Sequence, residues 1–265
     1  MIEGSAPGGI INNIVSIENY PGISNISGPD FAYQLFETVN ELEIEYKLEK
    51  VTDVIFDEVK TVKTSSGVYQ SKYVILATGR SPKMLNLKDE EKYLGKGIST
   101  CALCDGSLYK GKKVAVIGGG SSALSEAIYL ANIVDKVYLI HRRGEFRGEE
   151  ILDNKVRNNQ KIELILNHEV TKILSDNEKF MGIELNDGRK LDVSAMFIYI
   201  GFIPNTKFLE TTNIKLDHGY VVVDENYETN IDGVYACGDV IKKDIYQIVT
   251  AASEGASAAI QIIHK

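Results

Sequence analysis

Short apolar runs alternate with turn signals along the chain, and one of them opens a well-marked unit. Residues 113–117 form a β-branched apolar run that meets three glycines at 118–120, and an amphipathic stretch follows at 124–134. This order predicts a strand, a tight turn and a helix. Another apolar run at 137–140 follows within the spacing of a parallel crossover. The sequence therefore predicts a βαβ unit whose glycine turn lies at the N-terminus of a helix.

Two other apolar runs, at 73–79 and 196–201, each end in glycine and are followed three residues later by proline. They look like corresponding strands of two similar units. Gly201 closes the second of these runs, and the glycine turn at 118–120 lies far before it in the sequence. A corresponding turn at the same distance before Gly79 would fall before residue 1. We therefore expect that an N-terminal strand and phosphate-binding turn, central to their sheet, are missing from this chain.

The remaining apolar segments predict how the chain closes. Residues 215–223 predict a hairpin, and residues 234–239 predict a strand that ends in Gly238 and Asp239, a pattern typical of a ligand-binding edge. Residues 247–264 carry small and apolar side chains at helical spacing without proline. This last segment predicts a closing helix.

The order of these segments predicts an α/β fold with two Rossmann-like dinucleotide-binding domains, one inserted in the other. The first domain is expected to be discontinuous, with residues 1–83 and 209–265, and the inserted domain to comprise residues 84–208. We expect the chain to cross between them near Pro82 and Pro204.

Composition and charge narrow the class of protein. The chain has 265 residues, of which 44% are hydrophobic and 25% charged, as in a globular protein rather than a disordered or collagen-like one. Its 29 Lys and Arg against 37 Asp and Glu give a net charge of -8, the wrong sign for a protein that coats nucleic acid. The sequence shows neither a membrane span nor the pattern of a signal peptide. We expect a cytoplasmic protein that binds neither nucleic acid nor membrane.

The glycine turn suits a pyrophosphate. Gly118 and Gly120 let the backbone approach the ligand, and the helix N-terminus that follows Ser121, Ser122 and Ala123 presents unpaired N–H groups and a partial positive charge. The pattern is weak alone, but here it follows a strand and opens a helix. It predicts a dinucleotide phosphate site.

Basic residues follow the second strand of this unit, where an NAD site usually has an acidic residue. His141, Arg142 and Arg143 end the strand, and Arg147 lies four residues further on. Arginine accommodates a 2′-phosphate, so the sequence favours NADPH over NADH. Two other interpretations stay open: a solvated basic turn on a structural βαβ unit, and a histidine that only caps the strand.

A Cys-x-x-Cys-Asp segment precedes the nucleotide strand. Cys101 and Cys104, at a helical turn, can close a readily reduced disulfide, and a depressed thiolate pKa makes one of them an attacking group. Asp105 suits proton transfer at this pair if burial raises its pKa, and its alternative role is a helix cap. We expect no metal, because zinc needs further ligands and only Cys237 remains. We expect Cys237 to be a buried small hydrophobe rather than a third redox thiol.

Together these segments resemble the low-molecular-weight, bacterial-type thioredoxin reductases. The likeness covers nearly the whole chain, and the order and spacing of the motifs match throughout. The segments that resemble the flavin domain of this family are Pro7-Gly8-Gly9, Ile17-Glu18-Asn19-Tyr20-Pro21-Gly22 and Ala77-Thr78-Gly79. The other segments that carry it are Cys101-Ala102-Leu103-Cys104-Asp105-Gly106, Gly118-Gly119-Gly120-Ser121-Ser122-Ala123, His141-Arg142-Arg143 with Arg147, and Tyr235-Ala236-Cys237-Gly238-Asp239.

The resemblance implies an FAD-containing homodimer that passes a hydride from NADPH to flavin, and then electrons through the Cys101–Cys104 disulfide to thioredoxin. By family analogy, Cys104 lies against the flavin, Cys101 is the more exposed, exchanging thiol, and Asp105 is the acid/base. The inserted domain would bind NADPH and the discontinuous domain FAD. The FAD residues that the resemblance implies are Gly8, Gly9, Asn19, Thr78, Gly79, Gly238, Asp239 and Gln247.

Two departures from the family pattern bear on FAD. The chain opens about where the second strand of the flavin domain would end, near Ile2 and Glu3. The family's Arg-Gln pair near the flavin is Tyr246-Gln247 here. The alternative function is therefore a truncated, flavin-free NADPH-binding or regulatory module without reductase activity. The intact Cys-x-x-Cys-Asp segment weighs against that alternative, because a binding module needs neither thiol.

Overall fold

The computed structural model describes residues 1–14 and 16–265. The chain forms two compact units. The first comprises Met1–Ser81 and Ile203–Lys265, and the second comprises Pro82–Phe202. The second unit is therefore inserted between the two parts of the first.

Strands, α-helices and short 3-10 helices alternate along the chain. The first part contains β1 (Ile2–Glu3), a 3-10 helix (Gly9–Asn13), α1 (Gly28–Glu41), β2 (Lys47–Leu48), β3 (Val51–Phe56), β4 (Lys60–Thr64), β5 (Val68–Ser71), β6 (Val74–Leu76) and, reaching the crossing, β7 (Arg80–Pro82). The middle part contains a 3-10 helix (Glu90–Tyr93), β8 (Ile98–Ser99), α2 (Ala102–Asp105), a 3-10 helix (Gly106–Tyr109), β9 (Lys113–Gly118), α3 (Ser121–Ala131), β10 (Lys136–His141), α4 (Glu150–Arg157), β11 (Ile162–Leu166), β12 (Val170–Asp176), β13 (Lys179–Leu185), β14 (Lys190–Leu191), β15 (Ala195–Tyr199) and β16 (Phe202–Pro204). The last part contains a 3-10 helix (Lys207–Leu209), β17 (Leu216–Asp217), β18 (Tyr220–Val221), β19 (Val234–Ala236), a 3-10 helix (Gly238–Val240) and α5 (Ile248–Ile263).

A five-stranded parallel sheet is the centre of the second unit. Its order, β11-β10-β9-β15-β8, puts the predicted nucleotide strand β9 in the middle. This strand is apolar on both faces because both are covered. Val114 and Val116 join a cluster with α3, and Ala115 and Ile117 join one with β12 and β13. The predicted order of strand, glycine turn, helix and second parallel strand is confirmed.

Helix α3 begins earlier than the amphipathic stretch at 124–134 predicts. Gly120 is its extended N-cap, and the helix runs from Ser121 to Ala131. Its first turn carries serines rather than apolar side chains, so the hydrophobic pattern does not reveal it. The helix ends because the Asn132 N–H turns back to the Leu130 and Tyr129 carbonyls.

The first unit is built from several small sheets. β1 pairs with β2 and β6 pairs with β19, both in parallel, and β3-β4-β5 is antiparallel. No strand of the described residues joins β1-β2 to β6-β19. The predicted hairpin is confirmed by β17 and β18, and the predicted closing helix by α5. The core of this unit contains Val54, Leu76, Leu209, Ile214, Val221, Val234, Ala236, Val240 and Ile241.

Among the described residues, no helix is long and apolar enough to cross a bilayer.

Candidate functional site

The redox pair is closed in the structure. Cys101 and Cys104 form a disulfide, with their Cα atoms 5.3 Å apart. Cys101 is the extended N-cap of α2, and the single turn that follows brings the Cys104 N–H to 3.0 Å from the Cys101 sulfur. On the other side, the Ser99 hydroxyl accepts the Cys101 N–H at 3.0 Å. Backbone hydrogen bonds therefore hold the disulfide on a short turn between β8 and α2.

The exposure of the two cysteines is opposite to the expectation from the resemblance. Cys101 is only 6% exposed, whereas Cys104 is exposed. Cys101 leaves the buried strand β8 and precedes Ala102, which is fully buried. Cys104 lies one turn further on, on the exposed side of α2. The prediction that Cys101 is the more exposed thiol is therefore wrong for this structure.

Asp105 is the last residue of α2, directly after the disulfide turn. Its side chain makes no capping hydrogen bond to the 3-10 helix that follows, so the described residues do not support the helix-cap interpretation. Burial is the main cause that raises the pKa of Tyr109, and the charge of the Asp105 carboxyl is the second. Asp105 thus lies within electrostatic reach of the groups packed around the redox turn.

At the first two positions of the glycine turn between β9 and α3, there is no room for a side chain. Gly118 has φ +149°, and a Cβ there would lie 2.2 Å from the Tyr199 carbonyl oxygen. A Cβ on Gly119 would lie 2.4 Å from Cε1 of His141. At Gly120, by contrast, nothing lies within 4 Å of the position of a Cβ. The third position of the turn therefore borders open space, as a ligand cradle requires.

This difference predicts opposite outcomes for two matched substitutions. Gly119→Ser should lower the stability of the chain by about 1–3 kcal/mol, because the added side chain overlaps the buried His141 ring. Gly120→Ser should not lower it, because the space is open and serine is a good N-cap residue. Urea unfolding of the two variants and the wild-type chain measures this, and equal midpoints for the two variants would contradict the packing described.

The N-terminus of α3 offers donors to an anion. Its N-cap, Gly120, provides no side-chain acceptor for the first-turn N–H groups. The Ser121 hydroxyl accepts the Glu149 N–H at 3.1 Å, and Ser122 is exposed. Ala123 is fully buried, and a Cβ on Gly118 would lie 2.8 Å from its side chain. Free N–H groups at a helix start are suited to a phosphate.

The predicted basic residues surround the end of β10. His141 is buried, and its Nε2 atom has no hydrogen-bond partner among the described residues. Burial is the main cause that lowers the pKa of His141, and the charge of Arg147 is the second. A hydrogen bond with the Glu145 backbone raises the same pKa. Arg142, Arg143 and Arg147 are exposed, and within residues 1–14 and 16–265 none forms an ion pair. Three exposed cations are thus available to a ligand, next to a buried imidazole with an orphaned nitrogen.

In the first unit, two predicted FAD segments lie at the carboxyl ends of adjacent parallel strands. Thr78 and Gly79 follow β6, and Gly238 and Asp239 follow β19, its partner. Gly79 has φ +63° with nothing near the position of a Cβ. Parallel sheets bind ligands at this edge. The Thr78 hydroxyl donates to the Asn205 carbonyl at 2.9 Å.

The other predicted FAD residues lie on loops or, for Gly9, at the start of the first 3-10 helix. Gly8 has φ +99°, and a Cβ there would meet the Ala32 side chain at 2.4 Å, whereas Gly9 borders open space. The Asn19 side-chain amide donates to the Gln247 side chain at 3.0 Å. The structure therefore brings Asn19 and Gln247 together, although they are distant in sequence.

Several side chains in this region were missed by sequence reasoning. The Arg80 guanidinium lies 2.9 Å from the Asp239 carboxylate and 4.3 Å from the centre of the Tyr246 ring. Lys243 is paired with Glu254 at 2.8 Å, and both are largely buried. Arg80 directly follows a predicted strand-end glycine, which was the one local signal. The ion pairs themselves join residues from separate segments, so no local pattern reveals them.

Cys237 is buried and free, as predicted. Burial first, then Glu254, raises its pKa to about 11. The thiol therefore stays protonated at neutral pH and is a poor nucleophile. The described residues contain no group of three or more His, Cys, Asp or Glu side chains placed to hold a metal ion.

Comparison with known proteins identifies the family. The family model described as pyridine nucleotide-disulphide oxidoreductase matches residues 5–255. The chain belongs to this family. It is 38% identical over 264 residues to a thioredoxin reductase of Listeria monocytogenes, covering 97% of this chain and 83% of that protein. It is 40% identical over 276 residues to a thioredoxin reductase of Mycoplasma pneumoniae, covering 99% and 85%.

Solved structures agree with this pyridine nucleotide-disulphide oxidoreductase fold. Lactococcus lactis thioredoxin reductase in its FR conformation gives a TM-score of 0.93 at 33% identity, covering 99% of this chain and 89% of that one. The thioredoxin reductase of T. acidophilum gives 0.89 at 33% identity, covering 98% and 88%. The predicted α/β class with two Rossmann-like domains and the predicted resemblance to bacterial-type thioredoxin reductases are confirmed.

The family uses FAD and NADPH, and the residues present fit both groups. For NADPH, the fit rests on the open space at Gly120, the uncapped start of α3 and the orphaned Nε2 of His141. For FAD, it rests on the open backbone at Gly79 and Gly9 in the first unit. Such glycines leave room for a ligand that any side chain would fill.

Proposed function

We propose that this chain is an NADPH-dependent flavoprotein disulfide reductase that passes electrons from NADPH through FAD and the Cys101–Cys104 disulfide to thioredoxin. The observation that carries the proposal is this disulfide, which closes on α2 in the same unit as the glycine turn between β9 and α3. A nucleotide-binding module has no need of a Cys-x-x-Cys disulfide followed by a carboxylate. The thioredoxin reductases to which the chain is similar support the same activity.

The inserted unit supplies the residues that would hold NADPH. The glycine turn and the start of α3 would bind the pyrophosphate, because free N–H groups and the helix dipole favour an anion there. The arginines after β10 would bind the 2′-phosphate by charge-assisted hydrogen bonds. The residues in these roles are Gly118, Gly120, Ser121, Ser122, Ala123, His141, Arg142, Arg143 and Arg147.

The discontinuous unit supplies the residues that would hold FAD. When bound, FAD would supply the two-electron redox chemistry that links NADPH to the disulfide. The carboxyl ends of β6 and β19, together with the loops of this unit, provide backbone groups and polar side chains for FAD. The residues that we assign to this role are Gly8, Gly9, Asn19, Thr78, Gly79, Gly238, Asp239 and Gln247.

The chain's own thiols carry out the last exchange. Two electrons open the Cys101–Cys104 bond to a thiol and a thiolate, and Asp105 exchanges the proton at the thiol. The thiolate attacks the disulfide of thioredoxin to give a mixed disulfide. The second thiol, once deprotonated, attacks that bond, releases the reduced partner and restores the internal disulfide.

We also propose that the protein is a homodimer in the cytoplasm. Exposed apolar side chains on α1 and α5, among them Leu35 and Ile260, support association of two copies. Outside the Cys-x-x-Cys segment the sequence has a single cysteine, and such sparing use supports a reducing compartment. Sedimentation velocity at several protein concentrations tests the dimer.

The absorption spectrum of the purified chain tests the reductase proposal. With FAD supplied, we expect visible flavin bands that stay with the protein and bleach when NADPH is added without oxygen. A colourless chain that binds NADPH would contradict the proposal and favour the flavin-free binding or regulatory module. A chain with flavin bands that NADH bleaches as readily as NADPH would contradict the role of the arginines.

A further inference from the structure

A carboxyl group is buried in the second unit without a charged partner. Glu126, on α3, is 8% exposed, and its Oε2 atom has no hydrogen-bond partner among the described residues. Burial raises the pKa of Glu126 to about 7. Burying a carboxylate without a partner is costly, so this group gains a proton more readily than an exposed glutamate does.

Tyr199 connects this carboxyl to the redox turn. The Tyr199 hydroxyl, at the end of β15, accepts the Ala102 N–H at 2.8 Å. Ala102 directly follows Cys101, so this bond fixes the first residue of α2. Burial first, and the charge of Glu126 next, raise the pKa of Tyr199. The phenol therefore keeps its proton, and Glu126 is the largest charge acting on it.

Most of the other groups packed around α3 are apolar or weakly acidic, and Lys155 of α4 lies near Ile128 of α3. Burial raises the pKa of Glu126, and no ion pair of this carboxyl is found among the described residues. The titratable neighbours in this region are Tyr199 from β15, Asp105 from α2, and the phenols of Tyr109 and Tyr129. The remaining elements around α3, which are β9, β10, α4 and β11, contribute Val114, Val116, Val137, Leu139, Leu152, Val156, Ile162 and Leu164.

We propose that Glu126 is a positioning residue that takes up a proton when the Cys101–Cys104 disulfide is reduced. The inference rests on the proposed function, because it takes that pair as the redox couple. Reduction by a dithiol breaks the S–S bond with two electrons and also supplies two protons. One proton goes to one sulfur and leaves the other as a thiolate, and a second proton goes to Glu126. The buried carboxylate is thus neutralised as a negative charge forms on the neighbouring turn.

The equilibrium of the full chain with dithiothreitol tests this proposal. Thiol labelling and mass spectrometry give the fraction reduced at each pH for the wild type, Glu126→Gln and the control Glu169→Gln, an exposed glutamate of the same unit. Above about pH 8 we expect the equilibrium constant for reduction by dithiothreitol to be about tenfold larger in Glu126→Gln than in the wild type. A rise of one unit in the pKa of Glu126 on reduction corresponds to a tenfold change in that constant. Below about pH 6 the two curves should converge, because the wild-type carboxyl is then neutral. Glu169→Gln should follow the wild type throughout.

The readout separates this inference from the proposed function. The equilibrium with dithiothreitol involves no NADPH, flavin or thioredoxin, so a chain without reductase turnover still gives this measurement. A reducible pair whose equilibrium is unchanged in Glu126→Gln, or offset equally at every pH, overturns the inference alone. A pair that dithiothreitol fails to reduce overturns both.

A second measurement needs no substitution at Glu126, in case that variant fails to fold. The infrared difference spectrum of reduced minus oxidised wild-type chain, taken just above neutral pH, should show the C=O stretch of a newly protonated carboxyl. The band should persist in Asp105→Asn, which removes the other carboxyl near the turn. Its absence from the wild type, or its loss in Asp105→Asn, would overturn the assignment to Glu126.

Discussion

Replacing Cys101 or Cys104 by serine is expected to abolish the reduction of disulfide substrates while NADPH still binds. The cycle must open and re-form one S–S bond, and a serine oxygen cannot take part in it. We expect turnover with NADPH and thioredoxin to fall by at least about 10³-fold in either variant. The glycine turn and the arginines after β10 are untouched, so an NADPH titration should give the wild-type affinity.

The third cysteine provides the matched control. Cys237 is buried, and its pKa of about 11 keeps the thiol protonated at neutral pH. Cys237→Ala should therefore retain turnover and lose only some stability, because it removes a buried sulfur. Turnover that persists in Cys101→Ser or Cys104→Ser, or that disappears in Cys237→Ala, would contradict the mechanism.

The parts of the fold that the sequence predicts best are those with a local pattern. β9, the glycine turn and β10 follow from runs of apolar residues and from glycines that a strand-to-helix turn requires. The closing helix α5 follows from small and apolar residues at helical spacing. The start of α3 was less predictable, because the helix begins with two serines and its N-cap, Gly120, borders open space.

The exposure of the redox cysteines could not be predicted in the same way. The burial of Cys101 depends on strand β8 and on packing around Ala102, not on the Cys-x-x-Cys spacing. Likewise, Ala102 and Tyr199 form a hydrogen bond across a separation of 97 residues. A motif specifies which side chains carry the chemistry, whereas the tertiary contacts decide which side of the turn meets solvent and which carboxyl lies behind it.

The largest expected effect on specificity comes from the arginines after β10. Arg142→Ala combined with Arg143→Ala should raise the KM for NADPH and leave the KM for NADH nearly unchanged. A charge-assisted hydrogen bond contributes about 1.5–3 kcal/mol, so two of them correspond to roughly 10²- to 10⁴-fold in preference. Both side chains are exposed, and solvent screening places the expected loss near the lower end, about 10²-fold.

Arg189→Ala is the matched control, because Arg189 is a half-exposed arginine of the same unit that is already paired with Asp187. It should change neither KM. Steady-state kinetics with both nucleotides measure the preference, with kcat recorded to separate binding from later steps. The 2′-phosphate is the only group that distinguishes the two nucleotides. An equal rise in both KM values would therefore mean that the arginines contact another part of the nucleotide, or support the loop itself, and the assignment to the 2′-phosphate would be wrong.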